Sequence, residues 1–121
     1  MKQAKVWGVT QTVWKGANAE VHRISVNKGG YCSIHKHNHK YNMFYVEMGL
    51  LQIDRWDNNT EINSTILGKN ESTIVEPGLY HKFKALENTI AYEIYWVELT
   101  EDIIRKKWGG SDEKNKNNFA R

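Results

Sequence analysis

Three histidines, His35, His37 and His39, occupy alternate positions of one short stretch, and a fourth, His81, lies far downstream. Side chains two apart on a β-strand project from the same face, so imidazoles at that spacing can share one metal ion. A further ligand must then come from a neighbouring strand. His81 follows Pro77-Gly78, a tight-turn dipeptide after which a strand can begin. Three imidazoles with open positions on the ion are enough for several metal-dependent chemistries, lyase and oxygenase reactions among them. The same pattern also describes histidines on a wet face with an unrelated His81, and spacing alone leaves both readings open.

The elements that would have to position these side chains are strands. Positions 20–26 alternate, with His22, Ile24 and Val26 on one side and Val21, Arg23 and Ser25 on the other. Further strand-like runs cover 31–37, 42–47, 50–56, 61–67, 72–75, 81–85 and 90–98. Lys28-Gly29-Gly30, Asp57-Asn58-Asn59, Gly68-Lys69-Asn70 and Pro77-Gly78 supply the turns between them. Many short strands at even spacing predict an all-β sandwich or barrel. One segment reads differently: Thr100 as N-cap, acids in the first turn, bases in the last and Gly109-Gly110 as a stop predict a short C-terminal helix. The expected organisation is one domain over 1–110 and a polar tail over 111–121.

The stretch holding Gly29, His35, His37, Asn42 and Gly49 fits the first cupin motif, G-x5-H-x-H-x4-E-x6-G, with Asn42 in the glutamate slot. Glu76-Pro77-Gly78-Leu79-Tyr80-His81 resembles the second, although Asn70 replaces its opening glycine and Ala85 its closing asparagine. The sequence thus resembles a cupin, which implies a double-stranded β-helix, a jelly-roll barrel holding one divalent ion. Five further segments recur in order: Lys5-Val6-Trp7-Gly8, 21–26, Gly29-Gly30, Asn70-Glu71-Ser72-Thr73 and 101–105. That series is similar to the cupin domain ending the type II mannose-6-phosphate isomerase / mannose-1-phosphate guanylyltransferase enzymes. The resemblance implies metal slots at His35, His37, Asn42 and His81, where the family has glutamine, histidine, glutamate and histidine. Lys40 falls where the family has an arginine tied to isomerisation, Met43 replaces a histidine, and Arg105 matches the arginine of Asp-Ile-x-Arg.

Two of four metal slots and two neighbours therefore differ from the family pattern. This sets a sugar-phosphate isomerase or epimerase reading beside two others, a different metal-dependent cupin enzyme and a non-catalytic sugar- or metabolite-binding module. Asn42 contributes a neutral amide oxygen where a carboxylate would neutralise charge, so the ion (Zn, Fe, Mn or Ni) would keep its full +2 and attract anions. The expected ligand is a small anionic or sugar-like molecule. His39 is a candidate acid or base beside the metal or a rim residue, and Lys40 and Arg105 are candidate anion clamps. Glu47 and Glu93 are the acids expected nearest the pocket, their facing left open.

Composition narrows the rest. Lys and Arg number 17 against 14 Asp and Glu, a net +3 too diluted for a phosphate-backbone stripe, so nucleic acid is not an expected partner. A single cysteine, Cys32, makes no internal disulfide, and neither a signal-peptide core nor a membrane span is apparent. The expectation is a cytoplasmic protein without membrane partners. A homodimer paired through an edge strand is expected as well, because the N-terminal segment with Trp7 and Trp14 carries more aromatic surface than one small barrel needs.

Overall fold

The computed structural model describes residues 1–57, 61–98 and 103–112. Nine strands are formed: β1 (Lys2–Lys5), β2 (Gly8–Lys15), β3 (Ala19–Val26), β4 (Tyr41–Met48), β5 (Leu51–Asp57), β6 (Glu61–Leu67), β7 (Ser72–Val75), β8 (Tyr80–Ala85) and β9 (Thr89–Trp96). They build two antiparallel sheets, ordered β1-β2-β3-β9-β4-β7 and β6-β5-β8. This is the all-β double-stranded β-helix expected from the sequence.

The period-two alternation decides which side chains enter the barrel. Ile24 and Val26 of β3, Phe44 and Val46 of β4, Leu51 and Ile53 of β5 and Phe83 and Ala85 of β8 are all buried. Full burial of a side chain such as Phe44 contributes about 1.5–3 kcal/mol. Arg55 joins the two layers by donating to the hydroxyls of Thr65 and Thr73. The same inward parity carries polar side chains to one end of the barrel: Asn42 from β4, His81 from β8 and Glu93 from β9 are buried too.

Three stretches differ from the sequence reading. The N-terminal residues form a hairpin, β1–β2, around the two-residue connection Val6-Trp7, with Lys5 paired to Gly8. The 31–37 run is an extended segment rather than a regular strand, joined to β8 only by the bridges Tyr31–Lys84 and His35–His81. Its ladder is interrupted because the Phe83 N–H donates to the Cys32 sulfur at 3.2 Å. The C-terminal helix is not formed over 103–108, while Thr100, Glu101 and Asp102 lie outside the described residues. Nine residues cannot repay helix nucleation without a face to bury, and Ile104 and Trp108 remain 96% and 85% exposed. Among the described residues no helix is long and apolar enough to cross a membrane.

Candidate metal centre

The bridge between the 31–37 segment and β8 sets the site. His35 and His81 exchange both backbone hydrogen bonds, at 3.1 and 2.8 Å, which brings their rings to 4.6 Å between centroids. His37 completes the triangle at 5.2 Å from His35 and 5.5 Å from His81. One nitrogen from each ring can be chosen so that all three lie within 4.8 Å of one another. The Pro77-Gly78 turn holds this arrangement from the other side, since the Gly78 N–H donates to the His37 carbonyl at 2.8 Å.

Backbone carbonyls select the tautomers. His35 Nδ1 donates to the Ser33 carbonyl at 2.9 Å, and His81 Nδ1 donates to the Leu79 carbonyl at 3.0 Å. A carbonyl can only accept, so the proton sits on Nδ1 and the Nε2 lone pair of each ring is left free. Burial pushes His81 down to about 4, with the neighbouring histidines adding to the effect. It also lowers His37, again with His35 adding to the effect. Metal ligation requires neutral imidazoles, which is the state this environment favours near neutrality.

Three polar atoms of the site have no partner within the protein: among the described residues His37 Nε2, His81 Nε2 and Asn42 Oδ1 are buried with no hydrogen-bond partner. Asn42 is fully buried, and its Nδ2 donates to the Met43 carbonyl at 3.3 Å, so its acceptor oxygen is the unpaired end. Each buried unsatisfied group costs about 1–3 kcal/mol. His81 Nε2 and Asn42 Oδ1 are acceptors without a donor, and with its proton on Nδ1 His37 Nε2 is a third, so a divalent ion would satisfy all three together. The residues present therefore fit a metal held by His35, His37 and His81, with Asn42 as the available oxygen donor.

A cavity of about 460 Å³ includes His35 and His37 in its lining. From β9, Glu93 and Tyr95 enter it; the Tyr95 hydroxyl donates to Glu93 Oε2 at 2.5 Å. Burial holds the Glu93 carboxyl above the usual carboxylate range, partly offset by that hydrogen bond. Burial and the Glu93 charge likewise raise the Tyr95 phenol. Beside them on β3, in register with Glu93, stands His22, which donates Nε2–H to Glu20 Oε2 at 3.0 Å and has Thr12 Oγ1 3.3 Å from Nδ1. The His22 hydrogen bond lowers the Glu20 carboxyl, helped by Lys40 and Lys15 against the opposing effect of burial. Cys32 also lines the cavity, but burial pushes its thiol up to about 11, which leaves little thiolate for chemistry.

The structure brings His35, His37 and His81 together and points Asn42 into the barrel. Lys40 lines the cavity, 3.7 Å from Glu20 Oε1 and 5.9 Å above the Tyr95 ring. His39 sits on an exposed bend and Arg105 in an exposed segment 5.4 Å over the Trp108 ring; neither lines the cavity. Glu93 faces in, whereas Glu47 is exposed and accepts the Tyr92 hydroxyl at 3.0 Å. The His22–Glu20 pair and Tyr95 were not anticipated as site residues. The signal for His22 lay in its parity, shared with the buried Ile24 and Val26.

A barrel of two antiparallel sheets with histidines converging inside one end defines the cupin class, and solved structures of that class superpose on it. KdgF from Halomonas sp. matches with a TM-score of 0.70 at 13% identity, over 82% of this chain and 87% of that one. The S161A mutant of Bacillus subtilis oxalate decarboxylase OxdC matches with a TM-score of 0.70 at 16% identity, over 81% of this chain and 27% of that one. The capsular polysaccharide assembling protein CapF from Staphylococcus aureus gives 0.69 at 23%, over 84% and 29%. At these identities the likeness is one of fold. Residues 1–105 match the family described as mannose-6-phosphate isomerase C-terminal, and the chain belongs to that family. No curated protein matches it.

Proposed function

We propose that this chain is a metal-dependent cupin, acting in the cytoplasm on a small anionic, hydroxylated ligand of the sugar-phosphate or sugar-acid kind. The observation that carries the reading is the convergence of His35, His37 and His81 with three buried unpartnered atoms, His37 Nε2, His81 Nε2 and Asn42 Oδ1, beside a polar cavity. Its donors are all neutral, so a divalent ion there would keep its charge and draw anions in. When bound, the ion would supply Lewis acidity toward a ligand oxygen. The chain's own groups do the rest: Lys40 contributes positive charge at the cavity, Thr12 and Gln3 offer hydrogen bonds to hydroxyls, and Trp7 and Phe83 give an apolar wall. Glu93, with its raised carboxyl fixed by Tyr95, is the group suited to take or return a proton. Family membership supports a sugar-phosphate ligand, and the Bacillus subtilis oxalate decarboxylase, of like fold, has Mn(II) centres.

Elemental analysis and calorimetry with Mn²⁺, Zn²⁺ and Ni²⁺ test this, followed by titration with mannose 6-phosphate and inorganic phosphate. One ion per chain is expected, with phosphate-ligand binding seen only in the loaded protein and both properties lost in folded His37→Ala and His81→Ala variants. Ligand binding that persists after complete metal removal would instead indicate a plain binding module.

A further inference from the structure

The outer face of the six-stranded sheet carries an apolar row across five strands, where an exposed sheet face is ordinarily polar. Register pairs align Trp14, Val21, Ile94, Met43 and Ile74 in one row across β2, β3, β9, β4 and β7. The next row on one side adds Trp96 beside Tyr41. On the other side a row holding Arg23, Tyr92 and Tyr45 comes first, and Ile90 beside Met48 lies beyond it. Trp14 is 55%, Met48 49% and Ile74 43% exposed. No described element packs on this face, because every extensive contact between elements is made by strands that are sheet neighbours or by β6 with β7. A five-strand apolar row of this kind, rimmed by aromatics and a few charges, marks an interaction surface.

We propose that the outer face of the six-stranded sheet is the interface with a second copy of this chain, packed sheet to sheet about a two-fold axis along β9. Size supports a copy of the chain as occupant. Four strands of eight residues and β7 with four, at ~4.8 Å spacing and ~3.3 Å per residue, give a face of about 570 Å². Two such faces come to roughly 1,140 Å², above the ~1,000 Å² that a specific interface should clear.

Charge complementarity supports it too. Arg23 lies on this face in register with Tyr92 and has no carboxylate within ion-pair distance among the described residues. Glu47, at the β4 bulge, accepts the Tyr92 hydroxyl and so places its carboxylate on the same face. The two lie on opposite sides of β9. Rotation about β9 lays β3 of one copy over β4 of the other, bringing Arg23 toward the second copy's Glu47, and the converse pair forms by symmetry. The edge-strand pairing expected from sequence is less suited, because β1 is fully exposed and carries Lys2 and Lys5, charges of the kind that discourage edge-to-edge addition. In the proposed dimer both metal cavities stay open, since they belong to the opposite face of the sheet.

The test is sedimentation equilibrium of the 121-residue chain from about 10 nM to 100 µM, since interfaces of this size range from micromolar Kd to far tighter, with circular dichroism and metal binding as controls of folding. A dimer is expected, with Ile94→Lys, Arg23→Glu and Glu47→Arg each weakening it tenfold or more. The double variant Arg23→Glu/Glu47→Arg should restore dimerisation to within about threefold. A monomer throughout the range overturns the proposal. So does a dimer that folded Ile94→Lys and the charge variants leave unchanged, and so does a monomer that dimerises only once residues 113–121 are deleted, which would make the chain's own tail the occupant.

Discussion

Asn42 sits on the inward face of β4 with its amide oxygen unpaired, at the position where the family pattern has a glutamate. A carboxylate there would cancel one unit of a divalent ion's charge; a neutral amide cancels none. Two unit charges about 4 Å apart interact by up to ~4 kcal/mol at an effective dielectric near 20, so this one atom weighs heavily on what the site holds. Asn42→Glu should therefore tighten metal binding tenfold or more, while phosphate binds the loaded protein more weakly. Calorimetry of both forms reads the two effects, and equal metal affinity in a folded variant would remove Asn42 from the coordination sphere. The histidine triad was legible because a two-residue spacing survives even an irregular extended segment, and a Pro-Gly turn announces the next ligand. His39 shares the spacing but not the face, because the chain bends at Asn38-His39 and the alternation ends there. The His22–Glu20 pair was hidden for a different reason: its strand was read correctly, but only the folded sheet shows that β3 faces the same cavity.

At the scale of elements the site depends on two turns with different tolerances. Gly78 has φ +88° and open space where a Cβ would go, so Gly78→Ala should cost only the left-handed strain, about 1–2 kcal/mol. Gly49, between β4 and β5, has φ +103°, and a Cβ there would meet the Asn88 carbonyl oxygen at 2.4 Å and the Thr89 Cα at 2.6 Å. Backbone cannot yield as a side-chain tip does, so Gly49→Ala should cost at least about 3 kcal/mol. Urea midpoints of the two variants give the order; a Gly78→Ala protein less stable than Gly49→Ala would contradict it. Strands β3 to β9 were legible because each alternates and each is bounded by turn residues. The β1–β2 hairpin was passed over although Val9, Thr10, Thr12 and Val13 are strand-forming types. The 100–108 segment carries helix signals of propensity and capping alone, and those are decisive only when tertiary burial completes them.

For the whole molecule, an ion at the proposed centre would also be a stability device, because it would tie the 31–37 segment to β8, and β4 through Asn42, using atoms that are otherwise buried without partners. An ion that binds only the folded chain stabilises it by RT ln(1 + [L]/Kd), about 2.7 kcal/mol at a hundredfold excess over Kd. For a chain of this size that corresponds to a rise in Tm of roughly 10 °C. The measurement is calorimetric unfolding at one protein concentration, held fixed because a dimer's Tm depends on it. EDTA-treated protein should melt lower, and returning Mn²⁺ or Zn²⁺ should restore the higher transition. His37→Ala and His81→Ala change the starting stability by themselves, His81 more so because it is 1% exposed. The informative quantity is therefore the increment on adding metal, which should vanish in both variants. An undiminished increment would place the stabilising ion elsewhere on the molecule and leave the three unpaired acceptors to another partner.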